Sequence, residues 1–171
     1  RRTMRALRAG APSVLYCPDS FGHPGALPAL AQGFGCHVVI AWRGLGGARW
    51  PAGDAFWWVA PGAERVLLHH LPPSGYELGA NLPSDPAAAS ERWERMRGEL
   101  LPRNSLGVAL LLNGADHHAR QQRLAPALAA LAQAALADEI RPGTLSTFAT
   151  EALERASVQA LPEIRGELRD S

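Results

Sequence analysis

The sequence predicts an α/β protein, in which parallel strands alternate with return helices. Three observations support this fold class. Apolar, β-prone runs alternate along the chain with helix-like amphipathic stretches. Two of the apolar runs end in turns that contain glycine and polar residues. The runs are also apolar almost throughout, as expected for a sheet that is covered on both faces. With 171 residues, of which 47% are apolar, the chain is long enough for one domain.

The first elements follow this pattern closely. Residues 3–9 predict a short helix that ends at Gly10. Residues 13–17 predict the first strand, and the turn after it, PDSFGH, leads into the helix-like sequence ALPALAQGFG. Residues 36–42 (CHVVIAW) predict a second buried strand. Parallel strands place their carboxyl ends at one edge, so the turns after these two strands are expected to lie together.

Between residues 45 and 83 the sequence is rich in glycine, proline and aromatic residues. Residues 56–59 and 65–71 are β-prone and flank a Pro-Gly turn, so we expect a hairpin that rises over the reactive edge of the sheet. Aromatic side chains of this region are candidates for stacking on sugar rings, although packing in a small core explains each of them equally well. They are Trp50, Trp57, Trp58 and Tyr76.

The second half of the chain again alternates strands and helices. Ser84 and Asp85 precede Pro86 and a charged run, which is the usual start of a helix. Residues 106–112 (LGVALLL) predict a third buried strand, which would deliver the polar segment NGADHH to the same edge as Asp19. The remaining predictions are helices at 126–137 and 144–159 and a strand-like run at 163–168.

Charge and composition exclude several classes of partner. The chain has 17 basic and 16 acidic residues without blocks of one sign, so we expect neither nucleic acid nor an anionic membrane as a partner. No run approaches the roughly 18 apolar residues of a membrane-spanning helix, and RRTMRALRAG lacks the apolar core of a signal peptide. We therefore expect a soluble, cytoplasmic protein. Two cysteines, Cys17 and Cys36, exclude a fold built on disulfides and a four-thiolate zinc site.

Two carboxylates are expected at the shared edge of the sheet. Asp19 and Asp116 each follow a predicted parallel strand, so both should point into one crevice. A pair of carboxylates in unlike surroundings is the minimum requirement for cleaving a glycosidic bond, and Arg43 could keep one of them ionised. The simpler interpretation of Asp19 is that it begins an Asx-turn or caps the next helix.

Metal binding is the rival interpretation of the same edge. Asp19 together with His23, His117 or His118 offers oxygen and nitrogen ligands that suit zinc. Neighbouring histidines after an aspartate are more often part of a polar loop than a set of ligands. From the residues alone, both uses of Asp19 remain open.

An ordered series of motifs runs along the chain. The motifs are PDSFGH (18–23), LPAL (27–30), GFG (33–35), AWRG (41–44), FWW (56–58), APGAERVLLHHLPPSGYELG (60–79), LLLNGADHHARQ (110–121) and GELR (166–169). In this order and spacing the series resembles the bacterial branch of the glycoside hydrolase family 38 α-mannosidases, from about residue 10 to the last residue.

This resemblance implies a distorted (β/α) barrel catalytic domain, a retaining mechanism and roles for individual residues. It implies that Asp19 is both the nucleophile and a zinc ligand, and that Asp116 is the acid/base carboxylate. The expected substrate is a mannosyl oligosaccharide or a small mannoside. The residues expected to bind it are Arg43, which contacts the nucleophile, Phe21 and Tyr76, which line the sugar pocket, and His117, which belongs to the pocket but is not a ligand.

The chain departs from the family pattern at two points. It lacks the His-x-Asp motif of the family's first strand and the later His-Asp motif, which supply the other zinc ligands. There is also no initiator methionine at residue 1, and the chain stops directly after a strand-like run. We therefore expect a central fragment of a catalytic domain that binds zinc poorly and turns over little substrate. Its open sheet edges invite self-association.

Two other functions fit the residues. A metal-dependent deacetylase-type hydrolase also places Asp and His at strand ends, and zinc titration of Asp19→Asn and His117→Ala variants separates it from a glycosidase. A non-catalytic carbohydrate-binding domain is favoured if the coding sequence on both sides also lacks the two missing motifs.

Overall fold

A computed structural model of the chain describes residues 13–45 and 53–169. The predicted helix at 3–9 and Trp50 lie outside these residues. The strands are β1 (Val14–Cys17), β2 (Gly22–His23), β3 (Val38–Ala41), β4 (Ala55–Val59), β5 (Arg65–His70), β6 (Glu163–Arg165) and β7 (Leu168–Arg169). The helices are α1 (Leu27–Gly33), α2 (Pro86–Leu100), α3 (Leu124–Ala134) and α4 (Leu145–Ala156), and a 3-10 turn (Leu101–Arg103) follows α2. The α/β class predicted from the sequence is confirmed.

The main sheet has five strands in the order β1-β3-β5-β4-β6. Strands β1, β3 and β5 are parallel, and their last residues Cys17, Ala41 and His70 lie in register. Strand β4 is antiparallel to β5 and parallel to β6. The segments that follow β1, β3 and β5 therefore emerge at the same edge of the sheet, as expected for parallel neighbours.

Both faces of this sheet are covered, which explains why its inner strands are apolar throughout. One face packs against α4, where Phe148 and Ala152 meet Ile40 and Leu67. The opposite face packs against α1 and β7, through side chains that include Ala31 and Leu168. No helix within residues 13–45 and 53–169 is long and apolar enough to cross a membrane.

Helices α2 and α3 pack on each other in a separate apolar cluster that contains Trp93 and Leu131. The start of α2 agrees with the sequence prediction. The Asp85 carboxylate accepts a hydrogen bond of 2.9 Å from the backbone of Ala88, and Pro86 opens the helix. This capping satisfies a backbone donor that the helix itself leaves unpaired.

The predicted hairpin forms, but its predicted location is wrong. Strands β4 and β5 pair through the turn at residues 60–64, and both belong to the main sheet instead of rising over its edge. The reason is that β5 is apolar on both faces, with Val66, Leu67 and Leu68 fully buried. A position inside the sheet, between β3 and β4, buries both faces of the strand.

The predicted third strand at residues 106–112 is also wrong. This segment contains no strand residue, although Leu106, Val108, Leu110 and Leu112 all pack against the cluster under α4. The intervening Gly107 and Ala109 are exposed. Alternate apolar side chains of this segment therefore pack on the core. Such packing does not require the backbone to form the hydrogen bonds of a β-strand.

Candidate active site

Asp19 and Arg43 stand at equivalent positions, each two residues after the end of its strand. Because β1 and β3 are parallel neighbours in register, the two side chains meet at the carboxyl edge of the sheet. Arg43 Nε donates a hydrogen bond to Asp19 Oδ1. The side chains are 28% and 37% exposed, so the ion pair faces solvent and is accessible to a ligand. The bond holds the carboxylate in a defined orientation beside the guanidinium.

Two aromatic rings enclose the Arg43 guanidinium. Its central carbon lies 4.5 Å from the ring centre of Phe21 and 4.3 Å from that of Trp42. Both contacts have the geometry of cation–π interactions, which restrict the guanidinium to a small range of orientations. Phe21 is 74% exposed and therefore presents a free ring face beside the ion pair. Trp42 was not singled out from the sequence, although it immediately precedes Arg43 in the AWRG motif.

Tyr76 reaches the same edge from the segment after β5. Its ring packs edge-to-face on Trp42, with ring centres 5.5 Å apart. The preceding Gly75 has a φ of +95°, and a Cβ at this position would lie 3.1 Å from the Trp42 ring. A side chain at residue 75 is thus disfavoured by both backbone conformation and space, and glycine permits the close approach of Tyr76.

Asp116 lies in a loop that is anchored at both of its ends. The Asn113 side chain donates a hydrogen bond of 2.9 Å to the Gly79 carbonyl. The Gln121 amide donates to the Leu82 carbonyl at 2.7 Å and accepts from the Leu82 backbone at 3.0 Å. These bonds position the loop beside the segment that carries Tyr76. Asn113 opens the NGADHH segment that was expected at this edge, whereas Gln121, three residues after the segment, was not singled out from the sequence.

The Tyr76 hydroxyl lies within the field of both carboxylates. It is 3.5 Å from Asp116 Oδ2, which is long for a hydrogen bond between oxygens. Burial and the charges of Asp116 and Asp19 raise the pKa of Tyr76. Burial, together with Tyr76 and Asp116, raises the pKa of Tyr16 to about 12. Both carboxylates thus raise the pKa of the Tyr76 hydroxyl. Tyr16 is a further neighbour of the site that was not singled out from the sequence.

The histidines considered as metal ligands do not converge on Asp19. His117 is exposed and has a φ of +62°. His118 Nε2 lies 3.9 Å from Glu77 Oε2. His23 is buried and meets Trp58 edge-to-face, with ring centres 6.2 Å apart. Across the part of the chain that the structure describes, no group of three or more His, Cys, Asp or Glu side chains is placed to hold a metal ion.

Two of the candidate stacking aromatics are structural. Trp58 is fully buried in the core, and its indole nitrogen donates a hydrogen bond of 3.0 Å to the Gly166 carbonyl. Trp57 packs against the Arg65 guanidinium, whose central carbon lies 4.4 Å from its ring. Of the two uses considered for Trp58, core packing is the one the structure shows, because its ring has no exposed face.

Comparison with known proteins identifies the family of the chain. The model of the glycosyl hydrolases family 38 N-terminal domain matches residues 4–167. This match defines the class of the protein as a glycoside hydrolase domain. The chain belongs to glycosyl hydrolase family 38, as the motif series indicated.

A solved structure shows the same fold. The chain is similar to an alpha-mannosidase from Enterococcus faecalis V583, with a TM-score of 0.85 and 22% sequence identity. The similarity covers 96% of this chain but 19% of that protein, so the chain spans about a fifth of its length. No curated protein matches the sequence.

Proposed function

We propose that this chain is the nucleophile-bearing part of a retaining, zinc-dependent α-mannosidase that hydrolyses terminal α-mannosyl linkages. The observation that carries the proposal is the arrangement at the edge of the sheet. Asp19 is paired with Arg43, and the Tyr76 hydroxyl lies 3.5 Å from Asp116 Oδ2. Membership of the family and the fold of the mannosidase neighbour support the substrate class.

In this proposal the two acids have different roles. The Asp19 carboxylate attacks the anomeric carbon, the bond from that carbon to the leaving oxygen breaks, and Asp116 protonates the leaving oxygen. Asp116 then removes a proton from water, which displaces Asp19 from the sugar with overall retention of configuration. Arg43 orients Asp19 through its hydrogen bond. Tyr76 remains protonated because its pKa is raised, so its hydroxyl can donate to Asp116 or to the sugar.

The outer pocket surfaces are assigned to aromatic and polar side chains. The exposed ring of Phe21 beside Arg43 offers a flat face for the apolar side of a pyranose. His117 stands next to Asp116 on the loop and is exposed to an incoming sugar. We assign both to substrate binding.

The proposed zinc ion requires ligands beyond those in the described residues. Asp19 is chemically suitable as one oxygen ligand, but these residues do not provide a set of three. When bound, the ion would polarise and orient hydroxyl groups of the sugar. We propose that the remaining ligands, and the strands that close the sheet into a (β/α) barrel, belong to the complete enzyme. The chain alone is expected to bind zinc weakly and to release little or no p-nitrophenol from an α-mannoside.

Ligand titration followed by amide chemical shifts tests the proposal. Methyl α-mannoside should shift signals of residues 19–22, 42–44 and 113–118. Asp19→Asn should weaken binding by roughly tenfold or more, since it removes a charged hydrogen-bond acceptor from the site. Asp116→Asn should weaken it less, because the Asn amide still offers a hydrogen-bonding group at this position.

Matched controls keep the test specific. Asp138→Asn removes a carboxylate that pairs with Arg97 on α2, away from the site, and should leave the titration unchanged. Methyl α-glucoside, which differs in the orientation of one hydroxyl group, should bind more weakly than the mannoside. Shifts that map to another surface, or that survive Asp19→Asn unchanged, would overturn the assignment of the site.

A further inference from the structure

A buried histidine contacts the backbone carbonyl that precedes Arg43. His70 is the last residue of β5 and is 1% exposed. Its Nε2 lies 2.8 Å from the backbone oxygen of Trp42, and its Nδ1 lies 2.5 Å from Arg103 Nη2. The ring therefore connects the end of β3 to the 3-10 turn after α2.

These two contacts determine which ring nitrogen carries the proton. An arginine side chain only donates hydrogen bonds, so the nitrogen facing Arg103 must be the acceptor. The proton is then on Nε2, which donates to the Trp42 carbonyl. The ring is neutral at pH 7, because burial lowers the pKa of His70 to about 3 and the nearby charge of Arg103 acts in the same direction.

Arg103 is itself held by the backbone around it. Its guanidinium also donates to the Leu71 carbonyl at 3.2 Å, and its own carbonyl accepts from the Asp54 backbone at 2.9 Å. Leu71 in turn donates to the Ala41 carbonyl at 2.9 Å, which extends the pairing of β5 with β3. Arg103 is thus bonded directly to the residue that follows β5 and, through Leu71, is connected to β3.

The Trp42 carbonyl belongs to the peptide unit that joins Trp42 to Arg43. A peptide unit is planar, so a hydrogen bond to this oxygen restricts the direction in which Arg43 leaves the strand. We propose that His70, held in one tautomer by Arg103, is a positioning residue for the Arg43–Asp19 ion pair. Its importance for catalysis rests on the proposed function, whereas its effect on the ion pair does not.

Two substitutions of His70 separate positioning from general packing. The amide nitrogen of Gln lies near the position of the histidine Nε2, so His70→Gln can still donate to the Trp42 carbonyl. Asn is shorter, so His70→Asn can still meet Arg103 but does not reach that carbonyl. Both variants place a neutral amide in the same buried space, and this makes them matched controls for each other.

The reporter is the side-chain Nε–H signal of Arg43 in a ¹⁵N-labelled chain at pH 7, identified by its loss in Arg43→Lys. His70→Gln should leave this signal near its original position. His70→Asn should shift it, and its hydrogen exchange should be roughly fivefold faster, which corresponds to the loss of one net hydrogen bond. Equal signals in the two variants, or an unmoved signal in His70→Asn, would overturn the proposal.

A second measurement needs no substitution at His70. Long-range ¹H–¹⁵N spectra of the histidine rings should show His70 protonated on Nε2 and not on Nδ1. Arg103→Lys, which still donates, should preserve this tautomer, and Arg103→Met should allow the two tautomers to mix. Protonation of Nδ1 in the unsubstituted chain would refute the proposal even if the His70 variants do not fold. Failure of the proposed function would appear separately, as absent mannoside binding in a chain whose Arg43 signal behaves as expected.

Discussion

Because β5 contains two buried histidines, we expect the free energy of unfolding to fall in mild acid. Burial lowers the pKa of His69 to about 4 and that of His70 to about 3. The charge of Asp54 opposes the shift at His69, and the charge of Arg103 reinforces it at both residues. Since an unfolded histidine titrates near pH 6.5, the unfolded chain binds more protons than the folded chain below that pH. Stability is therefore intact above pH 6.5 and is lost as the pH falls from 6.5 towards 4 and then 3.

The magnitude follows from proton linkage. Between pH 7 and pH 5, each histidine that stays neutral in the fold costs about 2 kcal/mol of unfolding free energy. The two residues together cost about 4 kcal/mol, which is a large part of the roughly 5–15 kcal/mol that stabilises a typical domain.

Urea unfolding at pH 7 and pH 5 measures this loss. His69→Leu removes one of the two groups along with a buried ring nitrogen that has no hydrogen-bond partner among the described residues. The difference in unfolding free energy between the two pH values should fall by about 2 kcal/mol in this variant. His117→Gln removes an exposed histidine and serves as the control, with no change expected. If His69→Leu loses as much stability at pH 5 as the unsubstituted chain, the linkage argument is refuted.

Three further predictions concern stability and association. Gly44→Ala should lower the unfolding free energy by about 1–3 kcal/mol, because residue 44 has a φ of +95° and its Cβ would lie 3.1 Å from Leu168; an unchanged urea midpoint would contradict this. Asp85→Ala should cost about 1 kcal/mol through loss of the bond to Ala88, whereas Asp85→Ser should retain most of the stability. Light scattering should show self-association at high concentration, since β1 pairs on one side only among the described strands, and a monomer at all concentrations would argue against it.

The positions of Asp19 and Arg43 were predictable from the sequence, because each residue follows the end of a strand. Asp19 and Arg43 each follow a short apolar run, and residues after parallel strands share an edge whatever the rest of the fold does. Asp116 reaches that edge although the strand expected before it does not form. Its loop is held by the amides of Asn113 and Gln121 instead. Tyr76 and Asp116 thus lie side by side because of contacts between side chains and distant backbone groups, which a sequence pattern does not reveal.

The sequence by itself determined the local features of this protein. The helix cap at Asp85, the buried strand at 38–41 and the turn that carries Asp19 depend on neighbouring residues, and neighbours are visible in the sequence. The tertiary structure alone decided which segments lie side by side. It placed the hairpin of β4 and β5 inside the sheet and set His70 against the Trp42 carbonyl. The physical reason is that an apolar pattern specifies that a segment is buried, whereas its partner depends on the packing of the whole chain.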